Sequence, residues 1–286
     1  MRQHELTRAD VLTAALPYIQ KYHGKTVVVK YGGNAMTSPE LKQAVMTDIV
    51  LLSLVGVNIV LVHGGGPEIT ALSSRLGLET KFIDGMRYTD KATVEVAQMV
   101  LCGKTNKDLV CSIEMSGGRA LGLSGLDGGM IKAKKLEGKA DYGYVGEIVK
   151  VDPTPVSDAL ASGYIPVIST VGMDEHGEVY NINADTAVAR IASALKVENI
   201  IMLTDVKGIM RDQNDESSLI VDASIKQVEE LIAEGVVVGG MLPKVRCLCD
   251  AVLGGAKKAV IIDGRVPHAI LIEMLSDDGA GTLIHE

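Results

Sequence analysis

The sequence has little of what marks a disulfide-framed, membrane-spanning or polyanion-binding protein. It holds four cysteines in 286 residues, and Cys102, Cys111, Cys247 and Cys249 make no CxxC pair and carry no histidine cluster around them. That pattern argues against structural zinc and against a disulfide framework, leaving reduced structural thiols. Positive charge is in deficit: 28 Lys and Arg stand against 36 Asp and Glu, for a formal net charge of −8. Broad binding to nucleic acid or to an anionic membrane is disfavoured, so any anionic ligand must be held by local devices. Long apolar runs are missing too. The most apolar stretch, Ile49 to Val62, is broken by Ser53, Gly56 and Asn58 and is too short to cross a bilayer. Acidic and polar residues stand where a signal peptide would carry its apolar core, which predicts a soluble, cytoplasmic protein.

The common nucleotide fingerprints are absent as well. Gly103-Lys104-Thr105 imitates the end of a P-loop, but the first glycine of that motif is replaced by Gln98 and no strand precedes it. Gly64-Gly65-Gly66 does not complete GxGxxG. A Walker ATPase and a Rossmann dehydrogenase are therefore both disfavoured. No repeat or low-complexity linker divides the chain, and its softest boundary falls near Ile182.

What is present is glycine: 31 of 286 residues, about 11%, against roughly 7% in average usage. With 47% hydrophobic residues the chain can bury a large core. The organising stretch is Val27-Val28-Val29-Lys30-Tyr31-Gly32-Gly33-Asn34, a β-branched run that delivers a lysine into two glycines. It reads as a buried parallel strand with Lys30 at its carboxyl end, where open α/β sheets bind ligands. A second strand, Asn58 to Val62, runs into His63-Gly64-Gly65-Gly66-Pro67, a glycine loop before a helix N-terminus and a potential anion site. His63 has no partner ligand near it in sequence and reads as a structural hydrogen-bonder. Arg87, after the turn Asp84-Gly85-Met86, is able to reach a carboxylate, although taken locally it reads as a surface residue.

Around these stretches the pattern predicts alternating helices and strands. A helix over 7–23 has Thr7 as N-cap, Asp10 at N3 and a kink at Pro17; Ser38-Pro39-Glu40 opens another that ends near Val55. Separate helices are expected over 90–101 and 105–116, a short one capped by Thr154-Pro155, and others over 184–195 and 223–234. Strands are expected over 119–124, 164–169, 200–203, 257–262 and 282–284. Antiparallel pairs are expected between 131–135 and 144–151 and within 171–180.

Two lysines, Lys30 and Lys244, each stand beside a Gly-Gly pair, and Asp185 stands at a helix start. Phosphoryl transfer needs mainly positioning and electrostatic stabilisation, which two ammonium groups and several glycine amides supply without a covalent intermediate. A carboxylate acceptor is already ionised near neutral pH and needs no general base. The lack of an evident nucleophile triad is then no obstacle.

At these residues the sequence resembles the amino acid kinase family. The resemblance runs from Leu16 to Ile284, through LPYIQKYHGKTVVVKYGGNAM, VLVHGGGPEI, GMRYT, NINADTA, LTDVKGI and GGMLPKV. It implies an α/β fold, a three-layer αβα sandwich around a mainly parallel central sheet. It also implies an acceptor-binding and dimerisation lobe over 25–181 and an ATP-binding lobe over 182–286. The GMRYT and NINAD stretches imply ATP-dependent phosphorylation of the side-chain carboxylate of N-acetyl-L-glutamate, with Mg2+ riding on the phosphates. Carried over by position, Lys30 and Lys244 would stabilise the transferring phosphoryl group and Asp185 would orient both. Gly33 and Gly65 would donate N–H bonds to it. Gly65, Gly66, Arg87 and Asn181 would hold the acceptor, and Thr204, Asp205, Gly208, Gly240 and Met241 the nucleotide. Other carboxylate or carbamate kinases of the same fold, and a catalytically silent sensor of nucleotide or amino acid, stay open as alternatives.

The helix before the first strand is an extra element that carries Leu12, Leu16 and Ile19 on one face. Packing against its own sheet is the plain expectation. Leu16-Pro17-Tyr18-Ile19 with Gly24-Lys25 is instead similar to the N-terminal extension of arginine-inhibited members of the family. That similarity implies an oligomerisation helix over 1–24, a hexamer built as a trimer of dimers, and L-arginine as effector. Tyr18, Lys196, His268, Asp278 and Gly281 are the matching contacts, with Asp277 as a second carboxylate.

Overall fold

Alternation along the central strands decides the architecture. In β1 (Thr26–Tyr31), Val27 and Val29 face one side of the sheet and Val28 the other, and all three are fully buried. A strand covered on both faces requires helices on both faces, as in parallel α/β sheets. The structure, a computed structural model, describes residues 9–36, 38–213, 215–277 and 279–286.

Helix α1 (Leu16–Tyr22) precedes β1, and α2 (Pro39–Leu54), β2 (Asn58–His63) and α3 (Gly66–Arg75) follow it. Next come a hairpin of β3 (Phe82–Ile83) and β4 (Met86–Arg87), α4 (Lys91–Gln98), a π-helical stretch Met99–Thr105, α5 (Asn106–Met115) and β5 (Ala120–Ser124). Then follow β6 (Ile131–Lys135), β7 (Gly146–Val151), α6 (Thr154–Ala161), β8 (Ile165–Ser169), β9 (Val171–Met173) and β10 (Val179–Asn181). The chain closes with α7 (Ala184–Leu195), β11 (Asn199–Thr204), β12 (Asp222–Ser224), α8 (Ile225–Ala233), α9 (Met241–Leu253), β13 (Lys258–Asp263), α10 (Ala269–Leu275) and β14 (Gly281–His285).

Eight strands form one sheet in the order β12, β14, β13, β11, β1, β2, β8, β5. From β13 to β5 every neighbour is parallel; β14 returns antiparallel against β13, and β12 lies parallel to β14. On one face Val28, Val62, Ile200 and Met202 pack with Val188 and Ile191 of α7 and with Val245 and Leu248 of α9. On the other, Val27, Val29, Leu61, Ile201 and Val260 pack with Met46 and Ile49 of α2, Ile113 of α5 and Ile270 of α10. This is the three-layer αβα sandwich expected from the sequence. Parallel strands also end on one edge, so Tyr31, His63, Ser169, Thr204 and Asp263 all lie along the same rim, where a ligand can be met by loops and helix N-termini. A second, four-stranded sheet of β10, β9, β6 and β7 flanks that rim.

Local expectations are corrected in several places. The N-terminal helix does not run through Pro17 with a kink: residues 9–14 are helical, the chain turns at Ala15, and Pro17 sits in the first turn of α1, where its missing N–H costs nothing. Thr7, its expected N-cap, lies outside the described residues. Leu12 and Leu16 do not pack on the sheet, being 74% and 51% exposed. The helices expected as separate over 90–101 and 105–116 are one continuous run through the π-helical stretch. Thr154 does not cap α6; its N–H is held by Asp152 Oδ1 at 3.0 Å. The helix expected from 223 begins only at Ile225, behind a capping box of Ser224 and Gln227, because residues 222–224 pair with β14 as a strand. Among the described residues no helix is long and apolar enough to cross a membrane.

Candidate active site

Lys30 is the last but one residue of the central strand, and its ammonium group is buried against a carboxylate from the opposite half of the chain. Its Nζ stands 3.2 Å from Asp185 Oδ1, and Lys244 Nζ donates to Asp185 Oδ2 at 2.6 Å. Asp185 occupies the first turn of α7 because Asn183 caps that helix, its Oδ1 accepting from Asp185 N at 2.9 Å and Thr186 N at 3.2 Å. Burial opposes ionisation of Asp185, but the two ammonium groups outweigh it and hold its carboxyl below the usual range. Three residues up to 214 positions apart, on β1, α7 and α9, thus make one cation pair around one anion. Such a pair of cations is suited to an anion carrying more than one negative charge.

On one side of this pair lies a cavity of about 710 Å³, lined among others by Gly65, Gly66, Arg87 and Asn181. Arg87 is 9% exposed, so the local reading of a surface arginine is wrong: the β3–β4 hairpin folds it inward. Its Nη2 donates to Gly66 O at 2.9 Å and to Thr70 Oγ1 at 2.7 Å, while Nη1 is buried and has no partner among the described residues. A desolvated guanidinium with unused donors is costly unless an anion meets it. Asn181 Nδ2 reaches Thr89 Oγ1 at 3.4 Å, and Thr89 Oγ1 donates to the backbone carbonyl Arg87 O at 2.9 Å, which ties the amide to the β4 backbone that carries Arg87. Gly65 is where the packing is tightest, since a Cβ there would stand 2.7 Å from Leu101 Cδ2. Beneath the loop, His63 Nδ1–H donates to Gly64 O at 2.8 Å and Nε2 accepts from Asn106 Nδ2 at 3.2 Å. That network makes His63 a structural residue. Burial lowers its pKa to about 4, so it is neutral at physiological pH.

On the other side lies a groove of about 500 Å³ lined by Thr204, Asp205, Gly208, Gly240, Met241 and Lys244, with a shelf of Val236, Val237 and Val238. All five residues assigned to a nucleotide from the sequence are in it. Gly208 has φ +152°, and a Cβ would run into Thr282 Oγ1, which accepts from Ile209 N at 2.8 Å. Gly33, with φ +68°, lies across from Asp205, whose Oδ1 would be 2.8 Å from a Cβ at that position. The α9 N-terminus opens beside the groove at Gly240-Met241, where Met241 N and Leu242 N bond to Val238 O and Gly239 O at 3.3 Å and Pro243 carries no N–H. Glycine backbone, Lys244 with Lys30 close behind it, and an apolar shelf give a groove that fits a nucleoside triphosphate.

The residues expected to contact an effector lie on α1, the end of α7, the start of α10 and β14. Lys196 ends α7 in a left-handed conformation beside the start of β13, through the bond from Lys257 N to Val197 O. Gly281 pairs with Ile262 at the opposite end of that strand, and a Cβ there would run into Ile261 O, so packing alone requires glycine. His268 caps the start of α10, beyond that same far end of β13, and its Nδ1 pairs with the buried Asp48 Oδ1 at 2.6 Å. Helix α10, which follows His268, packs on α1, and its Glu273 accepts from Ala280 N at 2.8 Å, which holds the turn before Gly281 against α10. Tyr18 lies on α1, whose Tyr22 hydroxyl accepts from Lys258 Nζ at 2.9 Å, at the Lys196 end. Asp278 lies outside the described residues.

Sequence reasoning missed Thr70, Phe82, Leu101, Val145 and Ile182, all on the wall of the larger cavity. Only Asn183 carried a legible signal, as an N-cap amide before an acidic first turn.

A profile of the amino acid kinase family matches residues 25–263. The chain belongs to the amino acid kinase family. It is 53% identical to the acetylglutamate kinase of Brachyspira hyodysenteriae, over 98% of this chain and 97% of that one. It is also 53% identical to the acetylglutamate kinase of Clostridium beijerinckii, over 97% of this chain and 98% of that one. At that identity over nearly the full chain it is an enzyme of this family, a phosphotransferase. Solved structures of low identity share its fold. The N-acetylglutamate synthase of Neisseria gonorrhoeae superposes with a TM-score of 0.85 at 24% identity, over 97% of this chain and 63% of that chain. The carbamate kinase of Giardia lamblia does so with a TM-score of 0.66 at 16% identity, over 92% and 99%.

Proposed function

We propose that this amino acid kinase is an acetylglutamate kinase, which transfers the γ-phosphoryl group of ATP to the side-chain carboxylate of N-acetyl-L-glutamate in arginine biosynthesis. The observation that carries the reading is the Lys30–Asp185–Lys244 bridge between a cavity holding a buried, partly unpaired arginine and a glycine-walled groove. The acceptor lobe, residues 25–181, holds the substrate through Arg87 and Asn181 on its α-carboxylate and through the Gly65-Gly66 amides on its reacting end. The nucleotide lobe, residues 182–286, holds ATP along Thr204, Asp205, Gly208, Gly240 and Met241. The ionised side-chain carboxylate attacks the γ-phosphorus, the bond to the β–γ bridging oxygen breaks, and that oxygen leaves on ADP with the electron pair. No proton moves, so no base is needed. Lys30 and Lys244 neutralise charge on the transferring group, Gly33 and Gly65 N–H groups bond its oxygens, and Asp185 fixes both lysines. Magnesium supplies further charge neutralisation through the ATP phosphates.

An ATP-dependent hydroxamate assay with N-acetyl-L-glutamate, aspartate and carbamate as acceptors tests this, and absence of signal with N-acetyl-L-glutamate rejects it. A silent sensor would give no signal with any acceptor.

Regulation extends the same proposal. The exposed Val11, Leu12 and Leu16, 66%, 74% and 51% exposed, support an N-terminal helix that packs against another subunit. The enzyme is proposed to work in the cytoplasm as a hexamer, a trimer of dimers, inhibited by L-arginine bound near the root of α1, with Tyr18, Lys196, His268, Asp278 and Gly281 as contacts. Deleting residues 1–23 is expected to leave active dimers that respond weakly to arginine. Light scattering and an arginine titration of both forms test it, and an intact protein that is dimeric or insensitive contradicts it.

A further inference from the structure

Phe82 is the chain's single phenylalanine, and it is 59% exposed while lining the Arg87 cavity. An exposed aromatic ring gains little from packing, so its place calls for another reason. Strand register supplies one. In the two-residue ladder of β3 and β4, Phe82 pairs directly with Arg87, which puts both side chains on the same face of the hairpin. The guanidinium carbon stands 5.0 Å from the ring centroid, within the range of a cation–π contact.

The hydrogen bonds of Arg87 leave a degree of freedom that this contact removes. Its bonds to Gly66 O and Thr70 Oγ1 both run through Nη2, and Nη1 has none among the described residues. A guanidinium held at one nitrogen can still tilt about that point, and a ring against its face sets the plane. We propose that Phe82 is a positioning residue for Arg87, its ring fixing the guanidinium plane so that Nη1 presents its N–H groups to the α-carboxylate of the acceptor. This rests on the reading of the cavity as the acceptor site. Leucine at this position would keep an apolar cover but lose the quadrupole, whereas tyrosine keeps the ring face. Because Arg87 holds the same carboxylate before and during transfer, the effect belongs in KM and not in kcat.

The test uses the full chain with ATP. Phe82→Leu is expected to raise the KM for N-acetyl-L-glutamate about five- to tenfold, the scale of one partly desolvated cation–π contact. The kcat and the KM for ATP should stay within about twofold, and Phe82→Tyr should restore the acceptor KM to within about twofold. As a competitive inhibitor, 4-acetamidobutyrate, which lacks the α-carboxylate, should bind wild type and Phe82→Leu equally. A wild-type KM in Phe82→Leu, an equal loss with both ligands, or a Phe82→Tyr enzyme as impaired as Phe82→Leu would each overturn the proposal. Turnover of N-acetyl-L-glutamate by the wild type, read in the same assay, judges the functional reading separately.

Discussion

The two recesses that meet at Lys30, Asp185 and Lys244 are built by different means. The Arg87 cavity presents side chains: a buried guanidinium, an amide held through Thr89 to the Arg87 backbone, and a loop propped from below by His63 and Asn106. The Gly240 groove presents mostly backbone: open glycines at 239 and 240, a Gly208 whose place excludes a side chain, and a shelf of three valines. A small acceptor with one fixed carboxylate is discriminated by a charge at a set distance, whereas a nucleotide with a flat ring and a polyphosphate suits amides and an apolar shelf. Changes on the two sides should therefore separate cleanly in kinetics, and the lysines between them should belong to neither.

That separation can be broken in graded steps. Lys30→Ala and Lys244→Ala should each cut kcat by at least about 10²-fold while both ligands still bind by calorimetry, the scale of losing one electrostatic stabiliser. Near-wild-type turnover in either would mean that the bridge is structural only.

The prop under the Gly64-Gly65-Gly66 loop should show in stability against pH. His63 titrates at about 4 in the folded protein because of burial, against an unfolded value near 6.5. The unfolded state therefore takes up a proton first, and stability that is complete above pH 6.5 is lost as pH falls toward 4, by on the order of 3 kcal/mol. Urea midpoints between pH 7 and 4 measure this, and His63→Gln should flatten the His63 share of the slope. An unchanged slope would assign the acid sensitivity to other groups.

Arg87→Ala should raise the acceptor KM roughly 10- to 30-fold, the range of a charge-assisted hydrogen bond, with the KM for ATP unchanged. Loss of kcat at constant KM would move Arg87 from binding to chemistry. The mirror change, Gly208→Ala, should raise the KM for ATP only about two- to fivefold and lower stability by about 1 kcal/mol, leaving the acceptor KM alone. Paired initial-rate series decide whether the two effects stay on their own sides.

Much of this site could be read in the chain because its devices are local. Val27 to Gly33 states a buried strand and its ligand-facing end within seven residues, and Asn183-Ala184-Asp185 states a helix start. Gly33, Gly65 and Gly208 are conspicuous because glycine at a strand end has few uses. Arg87, taken locally, reads as a surface group because its burial depends on a hairpin of two residues per strand, too short to leave a periodic pattern; only the family resemblance placed it at a ligand. The π-helical stretch went unseen for a similar reason: its residues are ordinary helix formers, and only the packing of Leu101 and Thr105 under Gly65 marks it.

The sequence by itself determined the αβα layering, through β-branched runs buried on both faces, and the identity of Lys30, Lys244, Asp185 and the glycine loops as the charged and flexible parts. Tertiary structure alone decided that Asp185 sits between the two lysines, because those contacts join β1, α7 and α9 across long loops whose closure no local pattern encodes. It also decided which side of Arg87 is left open. Hydrogen bonds to Gly66 and Thr70 of α3 and the ring of Phe82 on β3 come from two different segments, and a guanidinium acquires a direction only when both are in place.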